Sequence, residues 1–406
     1  MTTITASPHF KRIEIIDALR GFALAGIVVC HVVENYIGSM PSQTFNEAVH
    51  LGIIDDIVDG FINTLLRGKF IALFSFLFGL SFFIQMDNGH KRGSYFGDRF
   101  FWRLLLLLGI GYVHHLFYRG DILTIYAILG IFLIPFYAIN NKWVLSFATL
   151  LFLGLGRYIV FYATGGDGLF STEEMTPEAP KVLTYYETLK TGTLTDVFAT
   201  NAVQGHIDKA EFQFGIFGRG YFTFAFFLIG LYVGRLNFLK KFREEKKLTK
   251  KVLIYASIVL VLSFVGMALA FSSMGENFNF KSWNSMIGLS FMDLTNFSMT
   301  LIYIALFAIL FRKVKWEKRL STFAPYGRMA LTNYVFQSVL FTFILFGWGL
   351  GFIGELRQIY TFLIAIIFVA LQMWFSKLWL KHFYYGPLEW LWRSLTFFKL
   401  MPMKRK

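Results

Sequence analysis

The chain has 406 residues, of which 56% are hydrophobic and only 16% charged, with 50 phenylalanines and a mean hydropathy of +0.55. Globular proteins in water carry about 25% charge, so the composition argues against a soluble two-domain enzyme. A single cysteine, Cys30, excludes intramolecular disulfides and multi-cysteine zinc or iron-sulfur sites. The net charge of +14 would suit nucleic acid if it lay on one exposed face, so its distribution matters more than its size.

A helix crossing about 30 Å of hydrocarbon at about 1.5 Å per residue needs about 20 apolar residues. Ten segments qualify: 15–37, 61–86, 102–118, 121–140, 143–163, 214–235, 252–273, 285–311, 329–348 and 359–380. The expected fold is all-α, a polytopic membrane protein of about ten transmembrane helices. Asp17 and Arg20 inside the first segment, without a small-residue cleavage site after it, argue against a cleavable signal peptide.

An even number of crossings puts both termini on one side with 87–101, 141–142, 236–251 and 312–328. These stretches and their flanks hold 28 of the 39 Lys and Arg residues. The opposite loop, 38–60, has no Lys or Arg but contains Glu47, Asp55, Asp56 and Asp59. The positive-inside rule therefore makes both termini cytoplasmic. The loop at 164–213 is expected outside. Its Leu183, Tyr186, Leu189, Leu194 and Phe198 fall near helical spacing, which suits a helix lying on the membrane or one packed only on protein. The chain reads as a single transmembrane domain, 1–406, with the basic run Leu239 to Lys251 as the hinge between halves at 1–238 and 252–406.

An ionisable side chain at bilayer depth costs about 2.5 to 3.5 kcal/mol on insertion scales, so each needs a partner, water or a use. One group lies toward the outer side. His31 and Glu34 share a helical face, Arg67 and Lys69 follow in the second segment, and His114 and His115 end the third. Arg119, Gly120 and Asp121 make a polar turn, with Arg157, Arg219 and Asp293 near other outer ends. If these converge, they supply a base, carboxylates to orient it and cations for an anionic ligand. A lone His or Arg at a helix end more often snorkels or caps carbonyls. A second group lies toward the inner side: Asp17 with Arg20, then Arg328, Thr332, Asn333 and Gln337. Asp17 and Arg20 can neutralise each other locally, or the arginine can meet phosphate. Gly21, Gly26, Gly79, Gly109 and Gly111 permit close helix approach. No P-loop, GxGxxG, HExxH or GxSxG motif is present, so nucleotide hydrolysis and dinucleotide chemistry have no support.

Several blocks carry a specific resemblance. Asp17-Ala18-Leu19-Arg20-Gly21-Phe22-Ala23 precedes Gly68-Lys69-Phe70 and Leu73-Phe74-Ser75-Phe76-Leu77-Phe78-Gly79. Gly111-Tyr112-Val113-His114 and Gly120-Asp121-Ile122-Leu123 follow. Gly327-Arg328-Met329-Ala330-Leu331-Thr332-Asn333-Tyr334 and Gly386-Pro387-Leu388-Glu389-Trp390-Leu391-Trp392-Arg393 complete the series. Together they resemble the YeiB-like family of bacterial membrane proteins, domain of unknown function family 418, over nearly the whole chain. That family looks like a branch of the transmembrane acyltransferase superfamily that includes heparan-alpha-glucosaminide N-acetyltransferase. The resemblance implies a bacterial inner-membrane protein that passes an acyl group from cytoplasmic acyl-CoA, with acetyl-CoA the favoured form, to an external acceptor. It also implies a catalytic histidine near the non-cytoplasmic end of the early spans. His114 fits the family pattern best, His31 stands where relatives commonly have Asn, and His50 in the first external loop is the rival.

Two function classes follow. In an acyltransferase, His114 or His31 is the base, and Asp121 or Glu34 orients it. Arg67, Lys69 or Arg119 stabilises the oxyanion, while Arg20 and Arg328, with Asn333 and Gln337 nearby, meet the CoA phosphates. In a transporter of an anionic or lipid-like solute, the same groups form a proton relay or substrate site. A structural or signalling membrane protein is the blander third reading. Membrane lipids, an acyl donor and an acceptor are the expected partners. Nucleic acid and a metal are not expected, and a homo-oligomer is compatible with the composition.

Overall fold

The computed structural model describes residues 14–93, 96–171, 176–236, 245–275 and 279–405. Regular structure among them is helical, apart from an isolated antiparallel bridge between Phe383 and Lys404. In chain order the helices are α1 Glu14–Val33, α2 Gln43–Val49, α3 Ile53–Phe61, α4 Lys69–His90, α5 Gly97–Phe117, α6 Leu123–Phe136 and α7 Asn141–Phe152. Next come α8 Leu155–Thr164, α9 Pro180–Thr191, α10 Leu194–Ala202, α11 Gln204–Phe214, α12 Arg219–Arg235 and α13 Lys246–Ser272. The chain finishes with α14 Trp283–Phe311, α15 Val314–Leu320, α16 Ala324–Arg328, α17 Ala330–Leu345, α18 Gln358–His382 and α19 Pro387–Phe397. The hinge expected at Leu239 to Lys251 lies partly outside the described residues, and its last part begins α13.

Among the described residues, six helices or continuous helical stretches are long and apolar enough to cross a bilayer, and counting each of two bent pairs as one span brings the number to eight. The other two apolar segments, α6 and α17, have 14 and 16 residues, or about 21 and 24 Å of helix, short of a full crossing. Lipid is the natural surrounding for the outer surface. Only 11% of the apolar stretch of α13 is buried, and Ile254, Val261, Leu262, Phe264 and Leu269 stand exposed along it. A soluble protein would hide such a stripe.

By contrast, α1 is central. Sixteen of its residues are buried, and it packs against α16, α18 and α4. Close crossings depend on missing side chains. A Cβ added at Gly79 would collide with the Phe227 carbonyl of α12, and one at Gly230 would meet the Phe76 carbonyl of α4. The two glycines let α4 and α12 approach backbone to backbone. Gly109, expected at such a crossing, instead faces open space.

Three breaks interrupt the apolar helices. The helical stretch 53–90 passes through a π-turn at Ile62–Leu66 and then breaks at Arg67 and Gly68, where Gly68 adopts φ 80°. The α7–α8 pair bends by 53° at Gly154, φ 90°, and the α11–α12 pair bends by 62° before Gly218, φ 63°. Freed carbonyls in an apolar setting need donors. At the second bend Arg157 supplies them, donating to Ile216 O at 2.8 Å and Phe217 O at 2.9 Å. It is held by Asp293 at 2.6 Å, which also pairs with Arg219. This triad explains why three ionisable groups lie at apolar depth.

The segment read as lying on the membrane or packing only on protein forms α9 and α10, and its buried residues include Val182, Tyr185, Tyr186, Leu189 and Val197. These pack on protein. Thr193 ends the first helix by capping the second, its side chain and that of Asp196 exchanging hydrogen bonds with the backbone.

Candidate functional site

The site begins where α1 ends. Asn35 and Tyr36 leave the helix with φ 49° and 54°, both left-handed. Asn tolerates this conformation, but Tyr does so only when its surroundings hold it. Here the Tyr36 N–H donates to His31 O at 2.9 Å, and its ring stacks on Phe341 and meets Tyr118 edge-on at 4.9 Å. The last turn of α1 thereby aims His31 inward and keeps Glu34 beside the break between α3 and α4.

At that break Arg67 pairs with Glu34 at 2.9 Å. Cys30, His31, Glu34, Arg67 and Gly68, with Ile27, Leu66, Phe70 and Ile71, line a small, partly open pocket. The broken helix therefore presents a guanidinium, a carboxylate and an imidazole to one small chamber. Lys69, next to it in sequence, points elsewhere and donates to Asn63 O at 2.8 Å.

Behind His31 lies the second imidazole. His31 packs on Tyr118 at 5.1 Å and Tyr334 at 6.2 Å, while His114 packs on the same two rings at 6.1 and 5.0 Å. His114 Nδ1 lies 2.7 Å from Asp121 Oδ1, both side chains fully buried. Asp121 also accepts from Leu123 N, Thr124 N and Thr124 Oγ1 at 2.8 to 3.0 Å, so the carboxylate caps α6 while orienting the ring. The Lys209 ammonium lies 3.6 Å from the second carboxylate oxygen. With Nδ1 donating to the carboxylate, a neutral His114 ring keeps Nε2 as an acceptor. That Nε2 is buried and makes no hydrogen bond, and His31 Nδ1 is in the same condition.

Several sequence-predicted residues take other roles. Arg119 donates to Asn201 and to Asp208 at 3.0 Å and lies 3.5 Å over the Tyr185 ring, so it ties the α5–α6 turn to the 180–214 helices. His115 bonds Asn201 O and stacks on His206 at 3.8 Å. His50, placed beside His31 and His114 as a rival base, closes α2 by bonding Asn46 O at 2.9 Å and does not line the pocket.

The opposite polar layer is separate. Arg20 pairs with Asp17 at 3.0 Å and donates to Ser81 at 3.0 Å. Arg328 ends α16, and Asn333 donates to Ser376 at 2.9 Å. One turn beyond Tyr334, both amide atoms of Gln337 are buried without a hydrogen-bond partner.

Sequence reasoning missed Lys209, whose Nζ reaches Thr124 Oγ1 at 2.9 Å and Asp121 O at 3.2 Å from 88 residues away. It also missed Tyr118 and Tyr334, which join the two imidazoles. The latter accepts the Ile122 N–H and so holds the same turn as Asp121.

Long apolar helices around a buried polar centre define the class: an all-helical membrane protein. Residues 233–399 match the family described as "Protein of unknown function (DUF418)". Over 430 residues the chain is 29% identical to "Uncharacterized protein YxaH" of Bacillus subtilis strain 168, covering 100% of this chain and 99% of the relative. It is 26% identical to an uncharacterized 39.9 kDa protein of Bacillus acidopullulyticus, covering 98% and 97% of the two chains. With "Uncharacterized protein YeiB" of Escherichia coli K12 it shares 25% identity, covering 94% and 95%. The chain is thus similar to YeiB-like and DUF418 proteins, and none of the three relatives has an assigned activity in its description.

Proposed function

We propose that the protein is a membrane-embedded acyltransferase of about ten spans with cytoplasmic termini, moving an acyl group from cytoplasmic acyl-CoA to an external acceptor. One observation carries this reading. His114 has one ring nitrogen on a buried carboxylate and the other buried without a hydrogen-bond partner, next to a second imidazole that lines a pocket. A buried acceptor left unmade costs about 1 to 3 kcal/mol, and a carboxylate-oriented imidazole is the standard arrangement of a general base.

In this mechanism an acceptor hydroxyl or amine in the pocket gives its proton to one nitrogen of His31, which passes the proton on its other nitrogen to His114 Nε2, as that group attacks the thioester carbonyl. The C–S bond then breaks, and the CoA thiolate leaves with the electron pair. Of the cations considered from sequence, Arg67 is the one that lines the pocket, so it is assigned to the oxyanion, with Glu34 holding its guanidinium. His31 sits between pocket and base and relays the proton. Arg20 and Arg328 serve the donor phosphates at the opposite layer. The test is acyl-CoA consumption by the purified protein with candidate amine and hydroxyl acceptors. Activity should vanish in His114→Ala and fall steeply in Asp121→Asn; full activity in His114→Ala would remove the assigned base.

A transporter of an anionic or lipid-like solute is the second reading, and the three helix breaks favour it, because broken helices build substrate sites in carriers. Solute accumulation in sealed vesicles without acyl-CoA would select it.

A further inference from the structure

The short helix α3 is built inside out. Its Asp55 side chain is fully buried and accepts from Arg357 Nε at 2.9 Å and Ile359 N at 3.1 Å, where α18 starts, and from Leu51 N at 3.1 Å. Ile53, Ile54, Ile57 and Phe61 stand exposed instead. With about 3.6 residues per turn, these four cover about 100° of the helix. Asp55 and the buried Val58 come next around it, and Asp56 and Asp59 take the far side. A helix in water would turn its carboxylate out and its isoleucines in. An apolar flank beside an acidic one is the pattern of a helix at the headgroup level of a membrane, with the apolar flank in the lipid. The Asp55–Arg357 pair holds the flank in that orientation.

The flank runs into the candidate site. Leu65, four residues beyond Phe61 and within the π-turn, is exposed as well, and its carbonyl accepts from Tyr303 Oη at 2.7 Å. Leu66 and Arg67 follow and line the pocket, and the Arg67 side chain is 52% exposed, so it stands at the mouth. Lipids packed on the flank therefore carry their headgroups to the level of that mouth, while five of the nine lining residues, Ile27, Cys30, Leu66, Phe70 and Ile71, are apolar. We propose that the pocket takes the headgroup of a membrane lipid bearing a free hydroxyl or amine, which enters sideways across α3. The assignment deepens the transferase reading by naming its acceptor, and rests on that reading only for the chemistry. In that step the headgroup O–H or N–H gives its proton to His31, the oxygen or nitrogen bonds to the acyl carbon, and the C–S bond breaks with its electron pair leaving on the CoA thiolate.

Full-length protein is placed in phosphatidylcholine nanodiscs with phosphatidylglycerol that carries a diazirine on one headgroup hydroxyl and leaves the other free. After irradiation, peptide mapping should find adducts within 27–34 of α1, whose residues 27–33 are all buried and which reaches lipid through the pocket. Ile57→Gln should lower that labelling about fivefold. Val261→Gln, on exposed α13, should leave it unchanged. Adducts confined to α13 and the outer loops would overturn the proposal, as would undiminished α1 labelling in monodisperse Ile57→Gln. Acyl transfer from acyl-CoA to unmodified phosphatidylglycerol is measured in parallel. Labelling of α1 without transfer would remove the transferase and leave the lipid site; transfer to a water-soluble acceptor without α1 labelling would remove only the lipid.

Discussion

His114 and Asp121 form a fully buried pair, Nδ1 to Oδ1 at 2.7 Å, seven residues apart across the turn between α5 and α6. Asp121 also accepts from Leu123 N, Thr124 N and Thr124 Oγ1 and lies 3.6 Å from the Lys209 ammonium, so removing its charge leaves that ammonium without its buried counter-charge. Asp121→Asn should be less stable than wild type by about 3 kcal/mol. Thermal unfolding of the two proteins in one detergent checks this; equal melting temperatures contradict it.

Gly79 and Gly109 should respond in opposite directions to the same change. A methyl at Gly79 meets the Phe227 backbone carbonyl, which cannot rotate away, so Gly79→Ala should cost about 1 to 3 kcal/mol. Gly109 has open space within its helix, and Gly109→Ala should be neutral or stabilising by up to about 1 kcal/mol. Melting temperatures in one detergent compare the two directly. Equal losses would show that helix crossing is not what distinguishes them.

Asp293 neutralises Arg157 and Arg219 where the α11–α12 bend frees carbonyls. Asp293→Asn leaves two cations around one amide and should destabilise the protein by about 3 to 5 kcal/mol. The triad shares no residue with the His31 pocket, so activity per folded molecule should stay near wild type. Unfolding curves together with activity normalised to folded protein test both halves, and unchanged stability would remove the structural role.

Hydropathy made the helices legible, because every apolar segment read from the sequence falls on a helix or a bent pair. It could not show the break at Arg67 and Gly68, since a π-turn changes backbone geometry without changing composition. His114 and Asp121 were legible because a seven-residue separation across a polar turn constrains them to meet. Lys209 was not: it arrives from a separate helix with no local pattern to announce it. Tyr118 and Tyr334 were lost in a chain whose residues are 19% aromatic. His50, in the first external loop, instead bonds a carbonyl at a helix end and does not line the pocket.

The most direct measurement follows labelled acyl groups in sealed proteoliposomes, with acyl-CoA on one side and an acceptor trapped on the other. Label should move to the trapped acceptor only when acyl-CoA faces the arginine-rich end, and His114→Ala, folded and membrane-inserted, should abolish the transfer. Undiminished transfer in His114→Ala, or solute uptake that needs no acyl-CoA, would contradict the account.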